Sequence, residues 1–379
     1  MGMFPWEHSQ KVFFMATILD VAKLAGVSKT TVSRVINGQG PVKESTKNKI
    51  ITAAKALNYE PNYFAQGMRT SKTNVIGILI PSYSNPFYPE LLEGIEEVSL
   101  KYGYIDTVCS TYEDAEREYQ YIKHLVNRRV DGLIICTWCM TERNLRFLKE
   151  IGREIPIVFM DYFLKSEQIS CVIADGYTSS RFASEYLIDQ GRNKIAYIKN
   201  PPTFPAAYER FLGYRDALES KGLSVNEAYI YEGNFHMDSG FNAAAYFMNL
   251  PTPPDAIMAA ADIMAVGALH CLARLEIDVP KDVQVIGFDN IQLSRLVNPQ
   301  LTTIAQPILD LGRTAAHTII QKIASKDLSQ TQRILGSSLI LRGSTGSPNG
   351  KEYVIPIPAL NKRKRKGEVQ YAGKNRFLL

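Results

Sequence analysis

A short helical segment close to the amino terminus carries a group of polar side chains on one face. Residues 28–37 read SKTTVSRVIN, which places Val32, Val35 and Ile36 on one side of a helix and polar side chains on the other. Arginine, lysine and threonine can reach base edges in the major groove of DNA, and short hydroxyl or amide groups suit phosphate oxygens. The candidates for base contacts are Lys29, Thr30 and Arg34, and those for phosphate contacts are Thr31, Ser33 and Asn37. The alternative is an ordinary solvated helix face.

A second group of side chains lies where buried strands are predicted to end. Aromatic rings stack on the apolar face of a sugar or a flat ring, whereas carboxylates and arginine bind hydroxyl groups. The candidates for binding a small molecule are Phe87, Tyr88, Asp161, Arg210, Phe235 and Asp289. For each of them alone a structural role is the stronger reading, because a strand-end aspartate often caps a helix and a phenylalanine often lies in the core.

Other chemistries find little support in the sequence. Cys136 and Cys139 have the spacing of redox and zinc motifs, but no second pair of cysteines or histidines has ligand spacing. The sequence also lacks the nucleophile elbow, the zinc-protease motif, the phosphate-binding loop and the dinucleotide fingerprint. Asp161 and Asp289 could act as acid or base by type only. We therefore expect no bound metal, no cofactor and no enzymatic activity.

Three short helices are predicted to position the first group. Apolar residues recur at helical spacing over 18–25, and Gly26 suits the positive φ that closes a helix. Ser28 caps the second helix, and a third is predicted over 43–57. A helix, a tight glycine turn and a short helix with a polar face indicate a helix-turn-helix.

Beyond residue 74 the pattern changes to alternating strands and helices, which must position the second group. Buried strands are predicted at 75–80, 104–109, 132–136, 157–160, 172–174, 194–198, 229–231, 256–260 and 283–287. The helices between them are predicted at 88–101, 115–127, 142–151, 179–190, 208–221, 240–249 and 263–275. Two successive sets of this kind predict an α/β fold with two doubly wound parallel sheets. Because such sheets bind ligands at the carboxyl ends of their strands, the expected site is the cleft between two lobes.

Charge is distributed unevenly along the chain. Residues 1–73 carry a net charge of +6, residues 74–342 of −7 and residues 343–379 of +6. A basic head on an acidic body suits a nucleic-acid-binding module fused to a domain that avoids phosphate, although chance fluctuation is the alternative. Apolar runs are too short to span a membrane and the five cysteines are sparse, so we expect a soluble, non-secreted protein with reduced thiols.

Several segments in order resemble the lactose/galactose repressor (LacI/GalR) family of bacterial transcription regulators. They are ATILDVAKLAGVSKTTVSRVING, YEPNYFAQGMRT, GILIPSYSNPFYPELLEGIEE, DGLII, AYERFLGYRDAL, MAVGAL and VIGFDN, and the resemblance covers about residues 16–342. It implies an all-α helix-turn-helix head, joined by a hinge helix to a two-lobed parallel-sheet body of the periplasmic-binding-protein type. It also implies the division of base and phosphate contacts given above, and effector contacts at the strand-end positions.

The resemblance divides the chain into domains. The expected domains are an extension over 1–15, a helix-turn-helix domain over 16–60, a hinge helix and linker over 61–73, a two-lobed effector-binding and dimerisation domain over 74–342 and a basic, disordered tail over 343–379. The amino-terminal lobe is expected at about 74–174 and 305–335, and the carboxyl-terminal lobe at about 175–304 and 336–342. The basic run at 362–366 could instead bind nucleic acid or act as a targeting signal.

The hinge and the pocket depart from the family pattern at a few positions. The resemblance implies that the hinge contacts the minor groove through Asn62, Ala65 and Met68, with methionine in place of the usual leucine. The alternative for Met68 is an ordinary linker residue that packs against the body. Gly67 weakens a helix, so the hinge is expected to form poorly without DNA. Ala261 stands where many sugar-responsive members have a polar side chain, which predicts a more apolar pocket on that side.

The resemblance implies a regulator with defined partners. We expect a cytoplasmic, homodimeric repressor of carbohydrate-utilisation genes that binds near-palindromic operator DNA and a sugar or sugar-acid effector, without a membrane partner. The alternative is a sugar-binding receptor or carrier without operator-specific function. An exported receptor would begin with a signal peptide, whereas this chain begins with a helix-turn-helix, so the head discriminates between the two.

Overall fold

The chain divides into two units, Met1–Thr73 and Asn74–Leu379. This division is seen in a computed structural model that describes residues 16–36, 40–59, 72–136, 141–160, 169–200, 205–347 and 351–359. Asn37, the hinge candidates Asn62, Ala65 and Met68, Gly67, and the effector candidate Asp161 lie outside the described residues.

The amino-terminal unit consists of three helices: α1 Ile18–Ala25, α2 Lys29–Ile36 and α3 Glu44–Ala56. Thr17 caps α1 in a capping box, because its hydroxyl accepts the Asp20 N–H at 3.4 Å and its own N–H donates to the Asp20 carboxylate at 2.8 Å. Gly26 ends α1 with a φ of 66°, which a residue without a side chain adopts without strain. The chain can therefore turn sharply into α2 within three residues.

The buried side chains of the head come from all three helices. They are Val21, Ala22, Val32, Ile50 and Ala53. On the other face of α2, Lys29, Thr30 and Arg34 are exposed. The helices thus hold α2 in place through one side only.

The first sheet of the second unit is entirely parallel and has the strand order β11-β5-β4-β3-β1-β2. Its strands are β1 Val75–Ile80, β2 Ile105–Ser110, β3 Gly132–Ile135, β4 Ile157–Met160, β5 Ile169–Ala174 and β11 Gln332–Leu335. The helices between its first four strands are α4 Phe87–Lys101, α5 Ala115–Asn127 and α6 Glu142–Ile151. Strands β1, β3 and β4 are almost wholly buried and apolar, as expected for strands covered on both faces.

The second sheet has the strand order β13-β12-β10-β9-β8-β6-β7. Its strands are β6 Ile195–Lys199, β7 Ile230–Glu232, β8 Ala256–Ala259, β9 Gln284–Asp289, β10 Thr302–Ala305, β12 Ser337–Leu341 and β13 Tyr353–Ile357. Its helical segments are α7 Gly176–Asp189, α8 Pro205–Ser220, α9 Met237–Met248, α10 Asp262–Arg274, α11 Leu293–Leu296 and α12 Ile308–Ser325, with short 3-10 turns at Glu227–Tyr229 and Gly343–Thr345. Strands β6 to β10 run parallel, whereas β12 and β13 are antiparallel additions at one side. The predicted α/β fold with two doubly wound sheets is confirmed.

Helices α9 and α10 cross closely at two glycines. A β-carbon on Gly240 would overlap the carbonyl oxygen of Met264, and one on Gly267 would overlap that of Met237. Only glycine permits this backbone approach. The crossing fixes the start of α9, and with it the loop that carries Phe235.

The prediction of a disordered tail from residue 343 is wrong for its first part. Strand β13 pairs antiparallel with β12 along its whole length and forms the edge of the second sheet. Arg342, which is 2% exposed, donates from Nε to the Glu352 carboxylate at 2.8 Å. Proline is unfavourable within a sheet, but Pro356 lies on an edge strand, where its missing N–H is tolerated.

Truncation separates the structured part of this tail from the rest. Ending the chain at residue 347 removes β13 and leaves the buried Arg342 guanidinium without the Glu352 carboxylate, so we expect the free energy of unfolding to fall by about 2–4 kcal/mol. Ending it at residue 359 keeps every one of these contacts and should leave the melting temperature unchanged. Thermal unfolding of both truncations and the full chain measures the difference, and equal melting temperatures would contradict a structural role for β13.

Candidate DNA interface and effector site

Helix α2 presents three of the predicted base-contacting side chains to solvent. Its first turn is fixed by Ser28, whose hydroxyl accepts the Thr31 N–H at 3.2 Å and lies 2.8 Å from the Thr31 hydroxyl. Lys29, Thr30 and Arg34 are exposed. Their side chains are therefore accessible to a partner without any change in the packing of the head.

The residues predicted to contact phosphates differ in how far they are exposed. Thr31 is half-buried and its hydroxyl is engaged with Ser28. Ser33 was expected to face away from the core, and this is wrong, because only 8% of its surface is exposed. Ser33 directly follows Val32, the most buried residue of α2, so it lies at the border of the packed side of the helix, where a short side chain is covered by its neighbours.

In the amino-terminal lobe the aromatic candidates begin helix α4. Phe87 and Tyr88 are 5% and 3% exposed, and their rings meet edge to face with centroids 5.2 Å apart. The side chain of Asn85 accepts the Phe87 N–H at 3.1 Å and so fixes the turn that follows β1. Both rings lie in the main apolar cluster, so they stiffen the edge of the lobe at which the site is expected.

In the carboxyl-terminal lobe Arg210 lies on α8 and is 4% exposed. Its Nη1 donates to the carbonyl oxygen of Ala260, just beyond β8, at 2.6 Å. Nη1 also lies 3.6 Å from Oδ1 of Asp289, and the guanidinium carbon lies 4.0 Å from the centre of the Phe288 ring. These contacts hold a buried positive charge in one orientation at the carboxyl edge of the sheet.

Asp289 is the last residue of β9, and Gln306 follows the neighbouring strand β10. The Gln306 side-chain amide donates to Oδ1 of Asp289 at 2.6 Å, and both residues are buried. Asp289 has a φ of 118°, which residues with side chains rarely adopt, so the surrounding contacts hold its backbone there. Gln306 was not predicted from the sequence, because β10, the strand that precedes it, was not predicted either.

Phe235 lies in the loop before α9 and lines a cavity together with residues of the amino-terminal lobe. Phe235 has a φ of 62° and is 7% exposed, and the side chain of Asn234 accepts the His236 N–H at 3.1 Å. A cavity of about 150 Å³ is lined from both lobes by Ser82, Ser84, Asn85, Glu113, Phe235, His236, Met237 and Ile263. Burial raises the pKa of Glu113, and the nearby His236 opposes that rise. The carboxyl edges of the two sheets therefore face each other, as predicted for a cleft.

Asp262, which was not predicted from the sequence, is a buried carboxylate close to this edge of the sheet. Asp262, the first residue of α10, is fully buried and accepts the Thr303 hydroxyl at 2.6 Å and the Ile291 N–H at 2.9 Å. Burial raises its pKa to about 6, against these hydrogen bonds, which lower it. Asp262 thus ties α10 to the segment after β9 and to strand β10, close in the chain to Asp289 and Gln306.

Metal binding finds no support among the residues that the structure describes. Within the described ranges no three histidine, cysteine, aspartate or glutamate side chains lie together as metal ligands. Cys136 is buried, and Cys139 lies outside those ranges. In the same part of the chain no helix is both long and apolar enough to cross a membrane. The chemistry that remains is that of the ion pair between Arg210 and Asp289, whose guanidinium and carboxylate can donate to and accept from a polar ligand.

Two family profiles match the chain along most of its length. The profile described as bacterial regulatory proteins, lacI family, matches residues 17–62. The profile described as periplasmic binding proteins and sugar binding domain of LacI family matches residues 73–340. The first match covers the three-helix head and the second covers the two-sheet body. A receptor without a DNA-binding head does not account for the first match.

Known proteins resemble the chain over both units. The ribose operon repressor of Escherichia coli K12 is 37% identical over 331 residues, which cover 87% of this chain and 100% of that repressor. Among solved structures, the chain is similar to the lac repressor dimer bound to operator and the anti-inducer ONPF, with 27% sequence identity and a TM-score of 0.79. The match covers 87% of this chain and 99% of the repressor chain. A LacI family regulator from Enterococcus faecium with bound ribose is 26% identical and gives a TM-score of 0.65. That match covers 73% of this chain and 100% of the regulator's chain. The chain therefore belongs to the LacI family of bacterial regulatory proteins and is a DNA-binding transcriptional regulator, not an enzyme.

Proposed function

We propose that the chain represses genes of carbohydrate utilisation and that a small sugar, bound between the two lobes, controls its affinity for operator DNA. The observation that carries this proposal is the buried group formed by Arg210, Asp289 and Gln306 at the carboxyl edge of the second sheet. Phe235 and the aromatic pair Phe87 and Tyr88 supply apolar rings at the facing edges. Asp161 completes the proposed set of effector contacts.

The charges of this group favour a neutral sugar over a sugar acid. A hydroxyl group can accept from the Arg210 guanidinium and donate to the Asp289 carboxylate at the same time. A carboxylate on the ligand would gain from Arg210 but would meet the like charge of Asp289, which lies 3.6 Å from Arg210 Nη1. Ala261, which is fully buried, leaves one side of the site apolar and suits the carbon face of a sugar ring.

The names of two relatives point to the same ligand class. One is called a ribose operon repressor, and another was solved with bound ribose. We therefore take neutral sugars as the first class of effector to test. Sugar acids are the second class.

On the DNA side we propose that α2 enters the major groove. Lys29, Thr30 and Arg34 would contact bases, because they are exposed on the unpacked side of the helix. Thr31 and Asn37 would contact phosphates. In the hinge, the minor-groove contacts would come from Asn62, Ala65 and Met68.

We also propose that the regulator acts as a homodimer on a near-palindromic operator. Three large apolar side chains, Leu100, Tyr102 and Ile105, are 63%, 51% and 67% exposed within six residues of the amino-terminal lobe. Exposed apolar residues grouped in this way are typical of an interface between subunits. Since its target is operator DNA, we infer that the protein works in the cytoplasm.

Operator binding in the presence of sugars tests the proposed function. Operator sequences are first selected from random DNA with the full-length protein, and their affinity is then measured with no ligand and with each of a panel of neutral sugars and sugar acids. We expect one neutral sugar to change the operator affinity at least fivefold, which corresponds to a coupling free energy of about 1 kcal/mol or more. If no sugar changes it, the proposed effector class is wrong. If no preferred sequence emerges from the selection, the proposed operator binding is wrong.

Arg34→Ala tests the assignment of base contacts. We expect the variant to lose about 1–3 kcal/mol of discrimination at one base pair of the operator half-site, since one arginine reads one guanine edge. Lys49→Ala changes an exposed cation on α3 and is the matched control: it should alter affinity for all sequences alike. Competition between selected and scrambled DNA measures both. An Arg34→Ala protein with wild-type selectivity would show that Arg34 does not read a base.

A further inference from the structure

Asn200 lies at the same sheet edge as the proposed effector site. It directly follows β6, in which Ile198 pairs with Ala259 of β8. The Ala260 N–H donates to the Ile198 carbonyl at 2.9 Å, so the strand register continues to this edge. Asn200 therefore lies beside Ala260, whose carbonyl oxygen accepts from Arg210.

The side chain of Asn200 is buried, and only 3% of it is exposed. Within the described part of the chain neither its Nδ2 nor its Oδ1 has a hydrogen-bond partner. Among the residues that the structure describes, it is the one buried amide that leaves both polar atoms unpaired. The Nε of Arg210 is buried and unpaired as well. Buried polar atoms are nearly always satisfied in folded proteins, so unpaired donors and an acceptor at one edge indicate a missing polar partner.

We propose that Asn200 binds the effector directly and selects sugars with two neighbouring hydroxyl groups. Its Nδ2 donates to one ligand oxygen while its Oδ1 accepts from the next hydroxyl, and Arg210 Nε donates to a third oxygen. A vicinal diol offers one acceptor and one donor at the spacing of a carboxamide, whereas an apolar ligand would leave all three atoms unpaired. This assignment rests on the proposed function, because it takes the effector to be a sugar.

Asn200→Leu separates ligand binding from folding. Leucine has a similar volume and no polar atoms, so the variant removes the unpaired amide and should melt at the same temperature as the wild type or higher. Its affinity for the sugar should fall at least tenfold. Ser337→Ala removes another buried, unpaired hydroxyl, on β12 of the same lobe, and should leave the sugar affinity unchanged. Asn200→Asp keeps an acceptor and loses the donor. Its affinity for the sugar should therefore lie between that of the wild type and that of Asn200→Leu.

Calorimetric titration of the full-length proteins with D-ribose, D-glucose, D-galactose and cellobiose gives the readout, followed by the monodeoxy forms of the sugar that binds the wild type most tightly. One deoxy form should bind the wild type at least tenfold more weakly than its parent sugar, and the two should bind Asn200→Leu within threefold of each other. If wild type and Asn200→Leu bind the parent sugar equally, Asn200 has no ligand role while the proposed effector class stands. If no sugar of the panel binds the wild type, the effector class fails, and this assignment with it.

Discussion

Replacing Arg210 with methionine should destabilise the second unit by about 3–5 kcal/mol and abolish the response to the effector. The substitution keeps an unbranched apolar stem but leaves Asp289 as a buried carboxylate without its cation, and removing one partner of a buried pair has a cost of this size. It also removes the hydrogen bond to the carbonyl oxygen of Ala260. Urea-induced unfolding and operator binding with and without sugar measure the two effects.

Arg215→Met is the matched control, because Arg215 lies on the same helix but pairs at the surface. Its guanidinium lies 3.0 Å from Asp216 and 3.7 Å from Glu219, and its side chain is 39% exposed. Exposed ion pairs contribute about 0–1 kcal/mol, so this variant should unfold nearly as the wild type does and keep the effector response. Equal losses in the two arginine variants would contradict the buried pair.

A double substitution distinguishes the charge from the packing. In Arg210→Met combined with Asp289→Asn the unpaired charge is absent, and the Gln306 amide keeps an acceptor in the asparagine carbonyl. We expect this protein to recover at least half of the stability lost in the single variant. Effector binding should stay lost, because the groups that bind hydroxyls are gone. Recovery of the effector response would show that Arg210 is a purely structural residue.

Strand-end reasoning predicted much of this site because the position of a residue in a parallel sheet is readable from apolar runs. The buried runs at 75–80, 132–136 and 157–160 lie within a residue of the observed strands. Arg210 and Asp289, chosen on that basis, lie together in the structure. Asp289 ends the run VIGFD, which is otherwise apolar, so its charge stands out in the sequence.

The missed residues are those whose burial has no sequence signal. Gln306 and Asn200 are amides after short strands, and amides are common in exposed loops as well. Asp262 begins a helix, where a carboxylate usually serves at the surface, and only the structure shows that it is fully buried. Ser33 shows the opposite error, since a small polar side chain at the border of a packed face can be covered without contributing to the apolar pattern.

Two of the four strands that were not predicted, β10 and β13, have a common cause. Strand β10 reads TTIA and is largely buried although half of its residues are threonines, because Thr303 donates to Asp262 and Thr302 bonds to the Arg342 backbone. Strand β13 contains a proline and lies in a segment rich in glycine, serine and charge. In both cases contacts distant in sequence determine the structure, and local composition indicates a loop.

The contribution of Asp262 to the free energy of unfolding should depend on pH. Burial raises its pKa to about 6 in the folded protein, from a value of 3.8 in the unfolded chain. Between these values the folded state holds a proton that the unfolded state releases, so this residue's contribution to the free energy of unfolding falls as the pH rises from 4 to 6. The total change is roughly 2–3 kcal/mol, since one pKa unit corresponds to about 1.4 kcal/mol.

Asp262→Asn should therefore cost most in acid. At pH 4.5 the wild-type residue is largely neutral, and the variant differs mainly by the loss of one acceptor toward the Thr303 hydroxyl or the Ile291 N–H, a cost of about 1–3 kcal/mol. At pH 7.5 the wild type bears the penalty of a buried charge that asparagine lacks, so the difference should shrink towards zero. Urea-induced unfolding of both proteins at the two pH values measures it, and other titrating groups cancel because they are common to both.

Thr303→Val tests the cause of the shift. The Thr303 hydroxyl donates to Oδ1 of Asp262 at 2.6 Å and lowers the pKa of that carboxyl. Without this donor the folded-state pKa should rise further, so the stability of the valine variant should fall more steeply between pH 4 and pH 7 than that of the wild type. The double variant with Asp262→Asn should lose this extra slope, because the titrating group is absent. If the slope of Thr303→Val equals that of the wild type, Asp262 is not the group that titrates. The segment after β9 and strand β10 would then be held by an acceptor whose charge does not change with pH.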